Sequence, residues 1–141
     1  MNIFEALRED HDKQRTLVDL LTKTHGDSDG REEIFQRLKT ELENHAAAEE
    51  RAFYVPLIDS DLTQEKARHS IAEHQEIDEL VADLEELDNS SPGWLNTAEK
   101  LKEKVTHHLD EEEREVFQMA GKVLSEKEKS AFAEEYQKEM P

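Results

Sequence analysis

One internal repeat constrains this chain more than any other feature. The pattern H-x-x-x-E-E-R occupies residues 45–51 and returns sixty-three residues later at 108–114. Two further histidines, His11 and His74, share that offset, and each follows an acid, Asp10 or Glu73. His11 precedes His45 by thirty-four residues, and His74 precedes His108 by the same number. Apolar positions keep the register as well: Leu17 with Leu80, Val18 with Val81, Tyr54 with Phe117. Residues four apart on a helix share a face. Each copy therefore aims an imidazole (His45, His108) and a carboxylate (Glu49, Glu112) in one direction.

The apolar residues around these histidines follow a three- and four-residue spacing, which predicts helices. A first helix is expected from about Ile3 to Lys23, capped by Asn2, with Ile3, Leu7, His11, Val18 and Leu21 on one face and Phe4, Leu17 and Leu20 beside them. Gly26 to Gly30 reads as a loop. A second helix runs from about Glu32 to Ile58, with Pro56 kinking or closing its last turn. Thr63 caps a third, about Gln64 to Leu87. A fourth starts at Pro92 and ends near Ala120, where Gly121 interrupts it. Ser125 and Glu128 form a capping box for a short fifth helix, about Glu126 to Lys138, whose Ala131, Phe132 and Tyr136 place it at an end or edge of the fold. No strand pattern is visible. Helices of similar length with short connections predict an all-α, up-down-up-down four-helix bundle, with a core of about 3–120 and a C-terminal extension at 121–141 in one domain.

With 38% charged residues and 35% hydrophobic ones, only this periodicity argues against disorder. The net charge of -18 disfavours nucleic acid and anionic membranes as partners. No apolar run approaches the ~20 residues of a membrane span, and the N-terminal segment has no signal-peptide pattern, so a cytoplasmic location is expected. The absence of cysteine removes thiolate ligands and thiol chemistry.

Each of the four stripes carries a histidine near its middle, and two carry a glutamate one turn on. An unpaired buried carboxylate costs several kcal/mol, against a total stability of about 5–15 kcal/mol. A shared cation removes the conflict. Imidazole and carboxylate without thiolate suit iron, manganese or zinc. The repeat assigns His11 and His45 to one metal, His74 and His108 to the other, and Glu49 and Glu112 as bridges, leaving open positions for a small ligand.

This combination resembles the hemerythrin-like, HHE cation-binding domains over about residues 3–120, through His11, His45 with Glu49, His74, and His108 with Glu112. The resemblance implies a non-haem di-iron centre with carboxylate and oxo or hydroxo bridges. It also implies a role in binding or sensing oxygen, or in acting on peroxide or nitric oxide. Oxygen-carrying members have a histidine where this chain has Asp78, and H-x-x-x-x-D in their fourth helix. The resemblance is therefore closer to the regulatory and stress-related proteins. Asp78 is an extra ligand or an acid at the boundary. His107 and His69 are expected outside the site, and His25 at a helix end. Glu50 and Glu113 are outer partners or solvated acids, and Tyr54 packs. Three readings follow: a di-iron protein that binds or senses a small ligand, a di-iron enzyme acting on peroxide or nitric-oxide and iron stress, and a structural or storage bundle with zinc or manganese.

Overall fold

In a computed structural model describing residues 1–26 and 28–141, five helices fold into a bundle. Helix α1 is Ile3–Thr22. Helix α2 is Asp29–Glu49, continuing through a π turn at Glu50–Tyr54 into Val55–Ile58. Helix α3 is Gln64–Glu86. Helix α4 is Pro92–Glu111, continuing through a second π turn at Glu112–Val116 into Phe117–Val123, and α5 is Glu126–Glu139. The described residues contain no strand. Helix α1 packs between α2 and α4, α3 closes the ring, and α5 lies across α1 and the π turn of α2.

The caps explain most helix starts. The Asn2 side chain accepts from the Glu5 amide while Glu5 accepts from that of Asn2, and Ser125 and Glu128 repeat the box at α5. Helix α2 begins three residues earlier than expected because Ser28 accepts from the Arg31 amide. Asp29 and Gly30 are thus helical, leaving Gly26 and Ser28 of the expected loop outside any helix, while Asp27 lies outside the described residues. Buried Arg31 secures this end of the bundle. Its guanidinium donates to the Thr24 carbonyl and hydroxyl and to the Asn89 carbonyl, and lies 4.1 Å from the centroid of the Trp94 ring. Thr63 precedes α3 as expected, but its hydroxyl donates to the Leu57 carbonyl rather than capping the helix.

Several expectations are corrected. Gly121 does not interrupt α4, which runs to Val123 before Leu124 turns extended. Leu20 is exposed, since it falls on the outer side of α1. On α5 the buried positions are Ala133 and Tyr136, not Ala131. Two π turns, at Glu50–Tyr54 and Glu112–Val116, break the plain α-helical period that the sequence suggests. Their wider i→i+5 bonds, Val55 N–H to Glu50 and Phe117 N–H to Glu112, bring the residues five beyond Glu49 and Glu112 onto the inner face. Those residues are Tyr54 and Phe117, both buried.

The core divides into two apolar clusters. One gathers Ile3, Leu7, Phe53, Leu57, Val116 and Phe117. The other gathers Val18, Leu38, Leu42, Val81, Trp94 and Leu101. Every helix of the four passes from one cluster to the other through a histidine, so a polar layer lies between them.

Candidate metal centre

His11, His45, Glu49, His74, His108 and Glu112 all lie in that layer, each at most 6% exposed. The helical register that buries the stripe makes this unavoidable: any residue three or four positions from Leu42 or Val105 on the same face must face inward. Ligand atoms of His11, His45, Glu49 and Glu112 lie within 4.8 Å of one another, as do those of Glu49, His74, His108 and Glu112. The two carboxylates belong to both groups.

Each carboxylate turns one oxygen to each group. Glu49 Oε2 is 3.5 Å from His45 Nε2 and 3.8 Å from His11 Nε2, while its Oε1 is 3.1 Å from His74 Nε2. Glu112 Oε1 is 2.9 Å from His11 Nε2, and its Oε2 is 3.7 Å from His108 Nε2. None of these approaches is aligned as a hydrogen bond: all four Nε2 atoms and all four carboxylate oxygens lack hydrogen-bond partners among the described residues. Eight buried polar atoms thus converge without satisfying one another, where each unmet group ordinarily costs ~1–3 kcal/mol.

The outer imidazole nitrogens explain which way the rings face. His11 Nδ1 donates to Glu113 at 2.6 Å, and Arg15 donates to the same carboxylate at 3.0 Å. His108 Nδ1 donates to Glu73 at 3.0 Å. His45 Nδ1 donates to the Tyr136 hydroxyl at 2.6 Å. A carboxylate accepts only, so these bonds hold the proton on Nδ1 and leave the Nε2 lone pair pointing inward, the tautomer a metal requires. His74 is held less firmly, with Glu50 at 3.8 Å from its Nδ1.

The electrostatics fit a centre built for a cation. Burial disfavours charge on His11, but Glu112, Glu113 and Glu49 outweigh it and raise the imidazole well above its usual range. Against the same burial, Glu49 and Glu50 lift His74 to about 9. Burial lowers His45 and His108. Glu49 overcomes burial and stays ionised because His45, His11 and His74 surround it, whereas burial and the Glu49 charge push Glu112 well up. Glu113 falls to about 2, since His11 and Arg15 outweigh its desolvation. The raised proton affinities of His11, His74 and Glu112 thus work against the negative charge of the metal-free cluster.

The other candidates separate clearly. His107 and His69 are exposed, 62% and 53% by side chain, and pair with Glu111. His25 is exposed, just beyond the end of α1. Asp78 belongs to neither inner group among the described residues, is exposed, and lines a small, partly enclosed cavity with Gln14, Leu42, His45, His74, Ile77 and His108. The Tyr54 ring packs 5.8 Å from that of His74, as Phe117 packs 5.9 Å from His11, but the Tyr54 hydroxyl has no partner among the described residues.

Sequence reasoning missed Gln14. It is 2% exposed, and its Nε2 has no partner among the described residues. A glutamine one turn beyond His11 on a buried face was the available signal. Tyr136 stands in the sequence only among the few apolar residues of α5, and nothing local marks it as a partner of His45.

Fold and site together define a helical bundle of the class that projects histidine and carboxylate ligands inward from facing helices. More narrowly, the chain belongs to the hemerythrin HHE cation-binding domain family, whose pattern matches residues 2–120. Its fold is similar to the crystal structure of a hemerythrin HHE cation-binding domain-containing protein from Mycobacterium kansasii, with a TM-score of 0.87 and 24% identity over 98% of this chain and 84% of that one. No functionally curated protein matches the sequence. No helix among the described residues is long and apolar enough to cross a membrane.

Proposed function

We propose that this chain is a non-haem di-iron protein that binds or senses oxygen or a related small ligand. In this reading His11 and His45 hold one iron, His74 and His108 hold the other, and Glu49 and Glu112 bridge them. The observation that carries it is the convergence of eight unpartnered nitrogen and oxygen atoms, with each carboxylate offering one oxygen to each histidine pair. A structural set of polar residues would satisfy itself; this one leaves its inner atoms unpartnered, and cations placed between its members would satisfy them.

The iron pair would supply redox and Lewis-acid chemistry when bound. The chain's own residues do the rest. Glu113, Glu73 and Tyr136 orient three of the four imidazoles. The apolar clusters on both sides exclude bulk water. The cavity beside His74 and His108, with Gln14 and Asp78 in its lining, is the approach for a small ligand.

Metal content by mass spectrometry and the absorption spectrum of the isolated protein test this together. About two irons per chain, following the count of bridging and histidine groups, with near-ultraviolet bands that change reversibly with oxygen, is the expected result. Irreversible oxidation together with oxygen release from peroxide would place the same centre in an enzyme. Zinc or manganese retained after iron reconstitution would place it in a structural or storage bundle.

A further inference from the structure

The sixty-three-residue register relates Asp10 to Glu73 as it relates His45 to His108. In the second half of the molecule the acid reaches its histidine directly: Glu73 Oε1 accepts from His108 Nδ1 at 3.0 Å. In the first half the acid is an aspartate, one methylene shorter. It does not reach His45. Instead the Tyr136 hydroxyl fills the gap, accepting from His45 Nδ1 at 2.6 Å and donating to Asp10 Oδ2 at 2.5 Å. Tyr136 is 1% exposed and Asp10 7% exposed, so this is a buried chain rather than a surface contact. Asp10 is held in turn by Lys13 at 3.2 Å. Tyr136 lies on α5, beyond the residues matched by the family pattern.

We propose that α5 is a working part of the metal centre: Tyr136 is the positioning residue of His45, standing in for a carboxylate too short to reach it. The half-site of His11 and His45 therefore depends on the C-terminal helix, and the half-site of His74 and His108 does not. The hydroxyl is well suited to this position. It accepts from the imidazole only because its own proton is committed to Asp10, which fixes the Nδ1–H tautomer and frees Nε2 for metal. The chain thereby makes two inequivalent metal positions from one repeated sequence. This inference rests on the proposed metal assignment, and the test separates the two.

The metal-free full-length protein is titrated with ferrous iron under nitrogen against a competing chelator, as wild type, Tyr136→Phe, and Asp10→Glu with Tyr136→Phe. Melting of each metal-free variant is followed by circular dichroism. Tyr136→Phe is expected to weaken one iron equivalent about 10–100-fold, the usual effect of losing an outer partner of a metal-binding histidine, and to leave the other within about threefold. Adding Asp10→Glu restores the missing methylene and is expected to recover the weakened equivalent. A helix that only supports the fold would give no such rescue. The mirror variant Glu73→Asp leaves α5 intact and is expected to weaken one equivalent comparably, because no hydroxyl fills the gap on that side. Equal loss or no loss at the two equivalents in Tyr136→Phe, failure of the rescue, or an unchanged Glu73→Asp would overturn the inference. Wild-type protein that takes up no iron would overturn the metal assignment itself.

Discussion

Replacing Glu112 with glutamine separates a ligand from a structural ion pair. In the metal-free cluster, burial and the charge of Glu49 raise Glu112 well above the usual carboxylate range and so favour its protonated form. A carboxamide has the same size and is neutral, so it resembles the form that these surroundings favour. Metal-free Glu112→Gln should therefore differ from wild type by no more than about 1 kcal/mol, or ~3 °C in melting temperature for a chain of this length. If Glu112 were instead the ionised half of a buried ion pair with His11, 2.9 Å away, removing its charge would cost about 3–5 kcal/mol. That loss corresponds to a drop of ~10–15 °C. The metal-loaded comparison runs the other way. Two sites, each saturated at about 100 times its dissociation constant, stabilise the wild type by ~5 kcal/mol. Glutamine cannot bridge as a carboxylate does, so most of that increment should vanish. Circular-dichroism melts with and without ferrous iron read both numbers. A metal-free variant that melts 10 °C or more below wild type, taking the figure above, would refute the argument. So would a variant that keeps the whole metal increment.

Three further outcomes follow from the same geometry. Tyr54→Phe removes a buried hydroxyl that has no partner among the described residues, and should raise the stability of the metal-free protein by about 1 kcal/mol; a lower melting temperature would show that the hydroxyl is already bonded. Gln14→Leu should weaken azide, used as a probe of the metal-loaded centre, by roughly tenfold, the worth of one hydrogen bond. Unchanged azide affinity would remove Gln14 from the ligand pocket. The metal-free protein should lose stability as pH rises. His74 is raised to about 9 in the folded state, so its contribution is complete below the unfolded histidine value near 6.5 and disappears through about 9. His11 and Glu112 are also raised and act in the same direction. Melting temperatures at the two ends of that window, with and without iron, test this. A metal-free protein that is equally stable at both ends would contradict it.

The inner six side chains were legible because helical periodicity and the sixty-three-residue offset act together. A stripe of apolar residues fixes which face is inward, and a histidine in the stripe must share that face. Glu49 and Glu112 follow by the four-residue spacing. The caps at Asn2 and Ser125 were legible for the same reason, being local bonds between residues three apart. The π turns were not. The H-x-x-x-E-E-R stretches look alike whether the next bond spans four residues or five, and only the packing of Tyr54 and Phe117 against the histidine rings distinguishes the two.

The outer partners mark the boundary most clearly. Asp10 and Glu73 could be noticed in sequence as acids preceding His11 and His74, yet they serve the histidines of other helices, His45 through Tyr136 and His108 directly. Tyr136 lies ninety-one residues from His45 along the chain. What the sequence alone determined is the inward direction of four histidines and two glutamates, because the period of a helix converts spacing into direction. Tertiary structure decided which of those groups meet, which oxygen faces which nitrogen, and which half of the centre depends on α5. Those outcomes depend on distances between helices that differ by a single methylene or hydroxyl, and no local pattern carries them.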